Sequence, residues 1–282
     1  MCSRFLDGPF SLQRWRGVIA SAWFAFGWMT AQAQATPTPL RVCADPDNPP
    51  FSQRDESGFE NELARLMAED LKRPLQYTWL RDRRGFLRKT LHAGRCDLVI
   101  GVPVDLKSVW TTMPYYRSGF YFVGRATDAA LDSFTDPRLA TMKVGVQLIG
   151  IDPGTSPVGY ALARHGATQG IVGYTLAEDD RPPAQRMVEA VAAGRLDRAL
   201  VWGPQAGHFA RQSPVPLRLS LARAPADMAG IPFAFLVGMG TRRDDHALHA
   251  TAESFLTRRR ADIDRILAAH GVLRTDAAEA RP

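Results

Sequence analysis

The sequence is poor in the residues and motifs on which most enzymes and metalloproteins depend. Its 282 residues include three cysteines and six histidines, and these do not form a spaced set of metal ligands. His246 and His249 lie three residues apart on a predicted helix, but no third ligand is nearby, so we interpret the pair as part of a solvated face. A G-x-S-x-G motif, a P-loop and a dinucleotide-binding glycine motif are all missing. We therefore expect no metal and no cofactor, and a protein that is not an enzyme.

Long apolar runs are absent as well. A helix that spans a membrane needs about 20 apolar residues, whereas the run at positions 17–28 has 12. That run follows Arg14 and Arg16 and precedes small residues up to Ala35, which is typical of a secretory signal peptide. We predict that residues 1–35 are a signal peptide, with an uncleaved anchor as the alternative. The mature protein is then periplasmic and has no membrane span.

The chain has no strong excess of one charge sign. Its net charge of +6 falls to +4 without residues 1–35, because that segment carries three arginines and one aspartate. The arginine run at 258–260 is flanked by Glu253, Asp262 and Asp264, which is typical of a solvated helix face and not of a nucleic-acid patch. We expect no nucleic-acid partner.

One phrase occurs twice in the chain, as "AGRCDLVIGVP" at 93–103 and as "AGRLDRALVWGP" at 193–204. Each copy closes a predicted strand–helix–strand–helix–strand unit, with segments at 40–44, 59–71, 75–80, 85–94 and 96–102 in the first unit and at 142–147, 155–166, 170–176, 182–194 and 198–203 in the second. This order is typical of a parallel sheet covered by helices, so we predict an α/β fold with two similar lobes. A chance match at two glycine-capped helix ends is the alternative.

Extended segments after each unit provide connections between the predicted lobes. The aromatic run at 113–125 can leave the first unit, and the segments 215–222 and 231–240 can return to it. A last helix is predicted at 244–270. The predicted boundaries are 36–124 with 222–282 for a discontinuous lobe one, and 125–221 for lobe two.

Two cysteines, Cys43 and Cys96, remain once residues 1–35 are removed, an even number in an oxidising compartment. If the strands of lobe one have the order 2-1-3, the first and third strands are neighbours, and each cysteine lies on or beside one of them. We therefore predict a disulfide between them. Two buried free thiols are the alternative.

Several stretches of the chain resemble type II periplasmic solute-binding proteins, among them "LRVCADPDNPPFS", "GFENELARLMAEDL" and "PYYRSGFYFVGR". The resemblance is closer to the binding-protein-like family associated with quinoprotein (methanol) dehydrogenases, the MxaJ/XoxJ type, through "TTMPYYRSGF", "VGVQLIG" and "VWGPQAGHFAR". It implies the type II periplasmic binding protein fold, in which two α/β lobes joined by two hinge strands close over a ligand. The cleft residues that it implies are Asp45, Asn48, Phe51, Gly101, Pro103, Tyr116, Arg117, Ser118, Gln147, Thr155, Ser156 and Trp202.

One departure from the amino-acid binders of this superfamily concerns the ligand carboxylate. Those proteins usually carry an Arg shortly after the third-strand Gly, but no Arg occurs between Gly101 and Pro114 here. Lys107 offers charge without the forked guanidinium geometry. Trp202 also stands where those proteins tend to place an Asp for the ligand ammonium. The resemblance therefore does not extend to the binding of a free amino acid.

The resemblance to the MxaJ/XoxJ family implies a partner, a periplasmic quinoprotein dehydrogenase with its c-type cytochrome, and a role in the maturation or activity of that enzyme. A small-molecule ligand in the cleft is a further expected partner. Two other interpretations stay open at this point. One is an extracellular solute receptor of an ABC transporter that binds a small polar molecule, and the other is a small-molecule lyase, because some relatives with this fold are dehydratases.

Overall fold

The computed structural model describes residues 37–81, 85–148, 156–176 and 181–275, and the predicted signal peptide at 1–35 lies outside them. The strands are β1 Leu40–Ala44, β2 Asp47–Asn48, β3 Ser52–Gln53, β4 Leu75–Trp79, β5 Leu98–Pro103, β6 Trp110–Thr111, β7 Tyr116–Arg125, β8 Val144–Gln147, β9 Ile171–Tyr174, β10 Arg198–Trp202, β11 Leu217–Leu221 and β12 Ala234–Thr241. The helices are α1 Phe59–Asp70, α2 Phe86–Lys89, α3 Pro157–Arg164, α4 Pro183–Ala192, α5 Gly203–Arg211, α6 His246–Arg258 and α7 Arg260–Ala269. None of these described helices combines the length and the apolar character that a bilayer crossing requires.

Most of the described strands belong to one sheet, in the order β4-β1-β5-β12-β7-β10-β8-β9, with β6 paired to β12 and β11 paired to β7. Strands β4, β1 and β5 are parallel neighbours, and β9, β8 and β10 repeat that arrangement. Both units therefore have the strand order 2-1-3, and the predicted α/β fold is confirmed. Strand β7 runs through the middle of the sheet, since Tyr116 to Gly119 pair with β12 and Phe120 to Val123 pair with β10.

The repeated phrase occupies the same place in both units. Gly94 and Gly194 follow the second helix of each unit with positive φ angles of 67° and 72°, which glycine adopts without strain. Three residues later, the N–H group of Asp97 donates to Arg41 O within β1 at 2.8 Å, and that of Asp197 donates to Lys143 O just before β8 at 2.9 Å. Strands β5 and β10 begin at the following residue. The interpretation of the phrase as the exit into the third strand is confirmed.

Two predicted helices need correction, and one helix, α5, was not predicted. The helix predicted at 85–94 is limited to the single turn of α2, because Thr90 leaves helical geometry and its Oγ1 donates to Phe86 O at 2.7 Å. The helix predicted at 244–270 is interrupted at Arg259, and both resulting helices bury apolar side chains in the same core. The sequence patterns do not predict α5, since Gly203 and Pro204 suggest a turn. Proline is nevertheless well tolerated in the first turn of a helix.

The ion pairs of the arginine run at 258–260 agree with its interpretation as a solvated helix face. Arg258, Arg259 and Arg260 pair with the carboxylates of Asp70, Asp262 and Asp264, as expected for an ion-paired helix face.

Contacts group the chain from Pro37 onwards into one unit. The boundaries of the two lobes, 36–124 with 222–282 and 125–221, stay a prediction.

The Asp97 carboxylate links the two ends of the described chain. Arg41 donates to it through Nε at 2.7 Å and through Nη2 at 2.6 Å, and Arg242 donates through Nη2 at 2.9 Å. Burial by itself would raise the pKa of Asp97, but the hydrogen bonds from the two arginines outweigh burial and lower it.

We expect the protein to lose stability as the pH falls below about 4, the ordinary pKa of an aspartate in an unfolded chain. A carboxyl whose pKa is lowered by folding stabilises the fold fully above that value and progressively less as the pH approaches the folded pKa. Asp97→Asn should therefore be less stable at neutral pH and should show a flatter acid dependence. Urea unfolding from about pH 7 down to about pH 2.5 measures both.

The control for this experiment is Asp132→Asn, which removes one charge at an exposed side chain outside the Asp97 cluster. It should keep the wild-type profile. An acid dependence in Asp97→Asn as steep as that of the wild type would contradict the assignment.

Candidate functional site

A cavity of about 340 Å³ opens at the carboxyl ends of β1, β5 and β10, where parallel sheets place their ligand sites. Seven of the predicted cleft residues line it: Asp45, Asn48, Phe51, Gly101, Pro103, Tyr116 and Trp202. The other described lining residues are Cys43, Ala44, Ser52, Glu60, Phe86, Val99, Val102, Phe120, Phe235 and Val237. The lining comes from both units of the sheet, with Trp202 from the second, and Phe120 comes from β7 between them.

Four described residues that were predicted for the cleft do not line this cavity. Ser118 is buried, and its Oγ donates to Leu273 O at 2.6 Å. Arg117 borders a separate cavity, together with Phe233 and Thr275.

The remaining candidates belong to the second unit. Ser156 caps α3, since its Oγ accepts a hydrogen bond from Gly159 N–H at 3.1 Å. Gln147 ends β8 and is half-buried. Thr155 lies outside the described residues. A ligand contact of Arg117, Ser118, Gln147, Thr155 or Ser156 stays a prediction.

Sequence reasoning missed several lining residues, and one of them could have been found by strand alternation. Alternate side chains on a strand share a face, so Phe120 follows from Tyr116, four residues earlier on β7. Glu60 gives no such signal, because an acidic residue in the first turn of a helix is ordinary.

The turn before α1 is fixed by short-range hydrogen bonds. Ser52 Oγ donates to Asp45 O at 2.8 Å, and Asp45 Oδ1 accepts from Asp47 N–H at 2.8 Å. Gly58 lies so close to Phe51 O that a Cβ there would collide with the backbone. These contacts hold Asp45 and Phe51 at the rim of the cavity and place the first turn of α1 beside it.

Glu60 extends from α1 toward β5. Its backbone N–H donates to Phe51 O at 2.9 Å. Its side chain crosses Gly101, where an added Cβ would overlap Oε1 of Glu60. Burial, followed by the negative charge of Glu60, raises the pKa of Tyr116 well above its ordinary value. Glu60 therefore lies close enough to the inner end of the cavity to act electrostatically on Tyr116.

Aromatic rings form much of the cavity lining. The Trp202 ring meets Phe120 edge-on with centroids 5.4 Å apart, and it meets Phe235 at 5.8 Å. Phe51 packs on buried Phe59 at 5.4 Å. Because these rings brace one another, the wall is set by packing before any ligand enters.

The predicted disulfide between Cys43 and Cys96 is confirmed, with Cα atoms 5.4 Å apart. Both cysteines are buried, and Cys43 also lines the cavity. The bridge joins β1 to the start of β5, the two strands whose ends carry Asp45 and Gly101.

Lys107 lies away from the cavity, in a surface groove with Trp110 and His246. The His246 ring meets Trp110 edge-on, and His249 stacks on it with centroids 3.8 Å apart. The interpretation of both histidines as solvated is wrong for His249, because this stacking buries it. Within the described ranges, no three His, Cys, Asp or Glu side chains are placed to hold a metal ion.

Comparison with known proteins gives one family match, to the bacterial extracellular solute-binding proteins of family 3, over residues 40–271. Protein MoxJ of Methylorubrum extorquens is 34% identical over 245 residues, which cover 83% of this chain and 80% of MoxJ. Protein MoxJ of Paracoccus denitrificans is 30% identical over 268 residues, 86% of this chain and 92% of that protein. The crystal structure of the periplasmic binding protein XoxJ from Methylobacterium extorquens is 33% identical, with a TM-score of 0.69 over 83% of this chain and 98% of XoxJ.

These similarities agree with the resemblance found in the sequence. They confirm the type II periplasmic binding fold and the relation to the MxaJ/XoxJ type. They also confirm the prediction of a binding protein over that of an enzyme, since the matched family consists of solute-binding proteins.

Proposed function

The chain belongs to the bacterial extracellular solute-binding proteins of family 3, and from this premise we propose that it is a periplasmic accessory protein of a PQQ-dependent methanol or alcohol dehydrogenase. It associates with that enzyme, and with the c-type cytochrome that accompanies it, and supports its maturation or activity. The signal peptide at 1–35 directs it to the periplasm.

The cavity lining carries this proposal. Among the described lining residues there is no Lys, Arg or His to pair with a ligand carboxylate. An amino acid would find no charge-assisted contact for its carboxylate among these residues, and the loss of such a contact costs about a hundredfold or more in affinity. The similarity to MoxJ and XoxJ supports the same function, because the resemblance of this sequence to the MxaJ/XoxJ family implies a dehydrogenase partner.

Two lobes are part of this proposal, with lobe one at 36–124 and 222–282 and lobe two at 125–221. The central position of β7 and β12 supports it, because β12 follows lobe two in the chain and pairs with the β7 residues Tyr116 to Gly119. The predicted cleft residues that line the cavity then face a ligand or a partner segment between the lobes.

We expect affinity capture from the native periplasm to recover a quinoprotein dehydrogenase with the tagged mature protein. A tagged amino-acid-binding protein of the same family is the matched bait, and it should not recover the enzyme. Calorimetry against amino acids and small carboxylates should give no submicromolar binding. Recovery of a permease and an ATPase, or tight amino-acid binding without recovery of a dehydrogenase, would show instead that the protein is the solute receptor of an ABC transporter.

A further inference from the structure

Aromatic side chains make up a large share of the cavity lining. They come from five separate segments of the described chain: the turn before α1, α2, β7, the end of β10 and the start of β12. The six rings are those of Phe51, Phe86, Tyr116, Phe120, Trp202 and Phe235. The fold therefore gathers at one cavity aromatic rings that are far apart in the sequence.

Three of these rings are held in place and still keep exposed surface. The Trp202 ring contacts the rings of Phe120 and Phe235, whose centroids lie 5.4 and 5.8 Å away. All three side chains line the cavity, and each is only partly buried. A ligand that covers them removes apolar surface from water, and it meets rings that their neighbours already restrain, so little ordering is needed on binding.

The polar groups of the lining are largely engaged within the protein. Ser52 Oγ donates to Asp45 O at 2.8 Å and accepts from Asp45 N–H at 3.2 Å. Asp45 and Glu60 also interact with further groups of the protein. The rings therefore offer most of the surface that a ligand can still cover.

The size of the cavity limits the ligand. An apolar cavity of about 150 Å³ holds benzene, and this cavity has a volume of about 340 Å³. It therefore has room for a compound of about two fused rings. A flat aromatic ligand gains more than a saturated one here, because ring pairs attract through their edges and faces in addition to the burial of area.

We infer that the cavity binds an aromatic compound of about two fused rings and discriminates against a saturated compound with the same carbon skeleton. Trp202 has the largest part in this preference, since its ring contacts two other rings of the lining. Such a ligand site goes beyond the association with a dehydrogenase, and either can fail without the other.

Two probes with one carbon skeleton test the ligand class: 2-naphthol and decahydro-2-naphthol. Both carry a single hydroxyl group and are uncharged near neutral pH, so charge plays no part in the comparison. Calorimetry on the mature protein gives each affinity. We expect 2-naphthol to bind about fivefold or more tightly than its saturated counterpart.

Trp202→Leu tests the role of the ring, since it keeps an apolar side chain and removes the aromatic surface. We expect it to weaken 2-naphthol about tenfold and decahydro-2-naphthol less. Trp202→Phe retains a ring and should keep the preference for 2-naphthol. Tyr160→Leu is the control, because Tyr160 lies on α3, is 43% exposed and is not among the lining residues, and it should bind like the wild type.

Several outcomes would overturn the inference. One is binding of decahydro-2-naphthol to the wild type as tight as that of 2-naphthol, a comparison that holds whether or not the variants fold. Another is wild-type affinity for 2-naphthol in Trp202→Leu, provided that its melting temperature is close to that of the wild type. A third is no binding of 2-naphthol to the wild type at about 1 mM, a concentration at which even a weak specific ligand is bound.

Discussion

Replacement of both bridged cysteines, Cys43→Ala together with Cys96→Ala, is expected to lower the free energy of unfolding by about 4 kcal/mol. The disulfide joins positions 53 residues apart, so it removes much of the conformational freedom of the unfolded chain. Both side chains are also buried beside Phe86, Leu91 and Val99, and their truncation leaves a small void in that cluster.

Urea unfolding of the wild type and the double variant, each with and without reductant, separates the two contributions. The oxidised wild type should be the most stable form. The reduced wild type should approach the double variant, which reductant should not affect. Thiol counting on denatured, unreduced protein should find no free thiol in the mature chain, and two reactive thiols would contradict the bridge.

The features that could be predicted from the sequence are those that local patterns determine. The stripe of Phe59, Leu63 and Met67 predicts α1 because helical periodicity reports directly which face is buried. The repeated phrase predicts two parallel units because a glycine with positive φ and an acidic residue at a strand entrance are short-range requirements. The 2-1-3 order then places the two cysteines on neighbouring strands.

The rest depends on contacts between distant segments. Phe235 belongs to the cavity only because β12 returns to the centre of the sheet and pairs with β7, more than a hundred residues earlier in the chain. Lys107 lies near Gly101 in sequence yet borders a different groove, because β6 pairs with the far end of β12. Glu60 acquires its place from the absence of a side chain at Gly101. Neither periodicity nor composition contains this information.

The two copies of the repeated phrase differ where each unit is held together. The first copy has Cys96, which forms the disulfide, and Leu98. The corresponding residues of the second copy are Leu196 and Arg198. The Arg198 side chain is only 4% exposed, and it donates to Asp128 Oδ2 at 2.8 Å and to Ala129 O at 2.8 Å. The second unit therefore has no covalent bond at the position of Cys96, and the buried Arg198, two residues later, ties β10 to the segment after β7.

Arg198→Met is therefore expected to lower the free energy of unfolding by about 3 kcal/mol, because it leaves a partly buried carboxylate and partly buried carbonyl groups without their donor. Arg125 also approaches Asp128, at 3.3 Å, which places the expected loss at the lower end of the range for broken buried pairs. Urea unfolding at neutral pH measures it.

Arg138→Met is the matched control, because Arg138 pairs with Asp136 at the surface and exposed pairs contribute little. The double variant Arg198→Met with Asp128→Asn should lose less free energy of unfolding than the sum of the losses in the two single variants. The second substitution removes the charge of the carboxylate that the first leaves unpaired. If the losses were additive, or if Arg198→Met cost less than about 1 kcal/mol, the pair would not be what holds the second unit together.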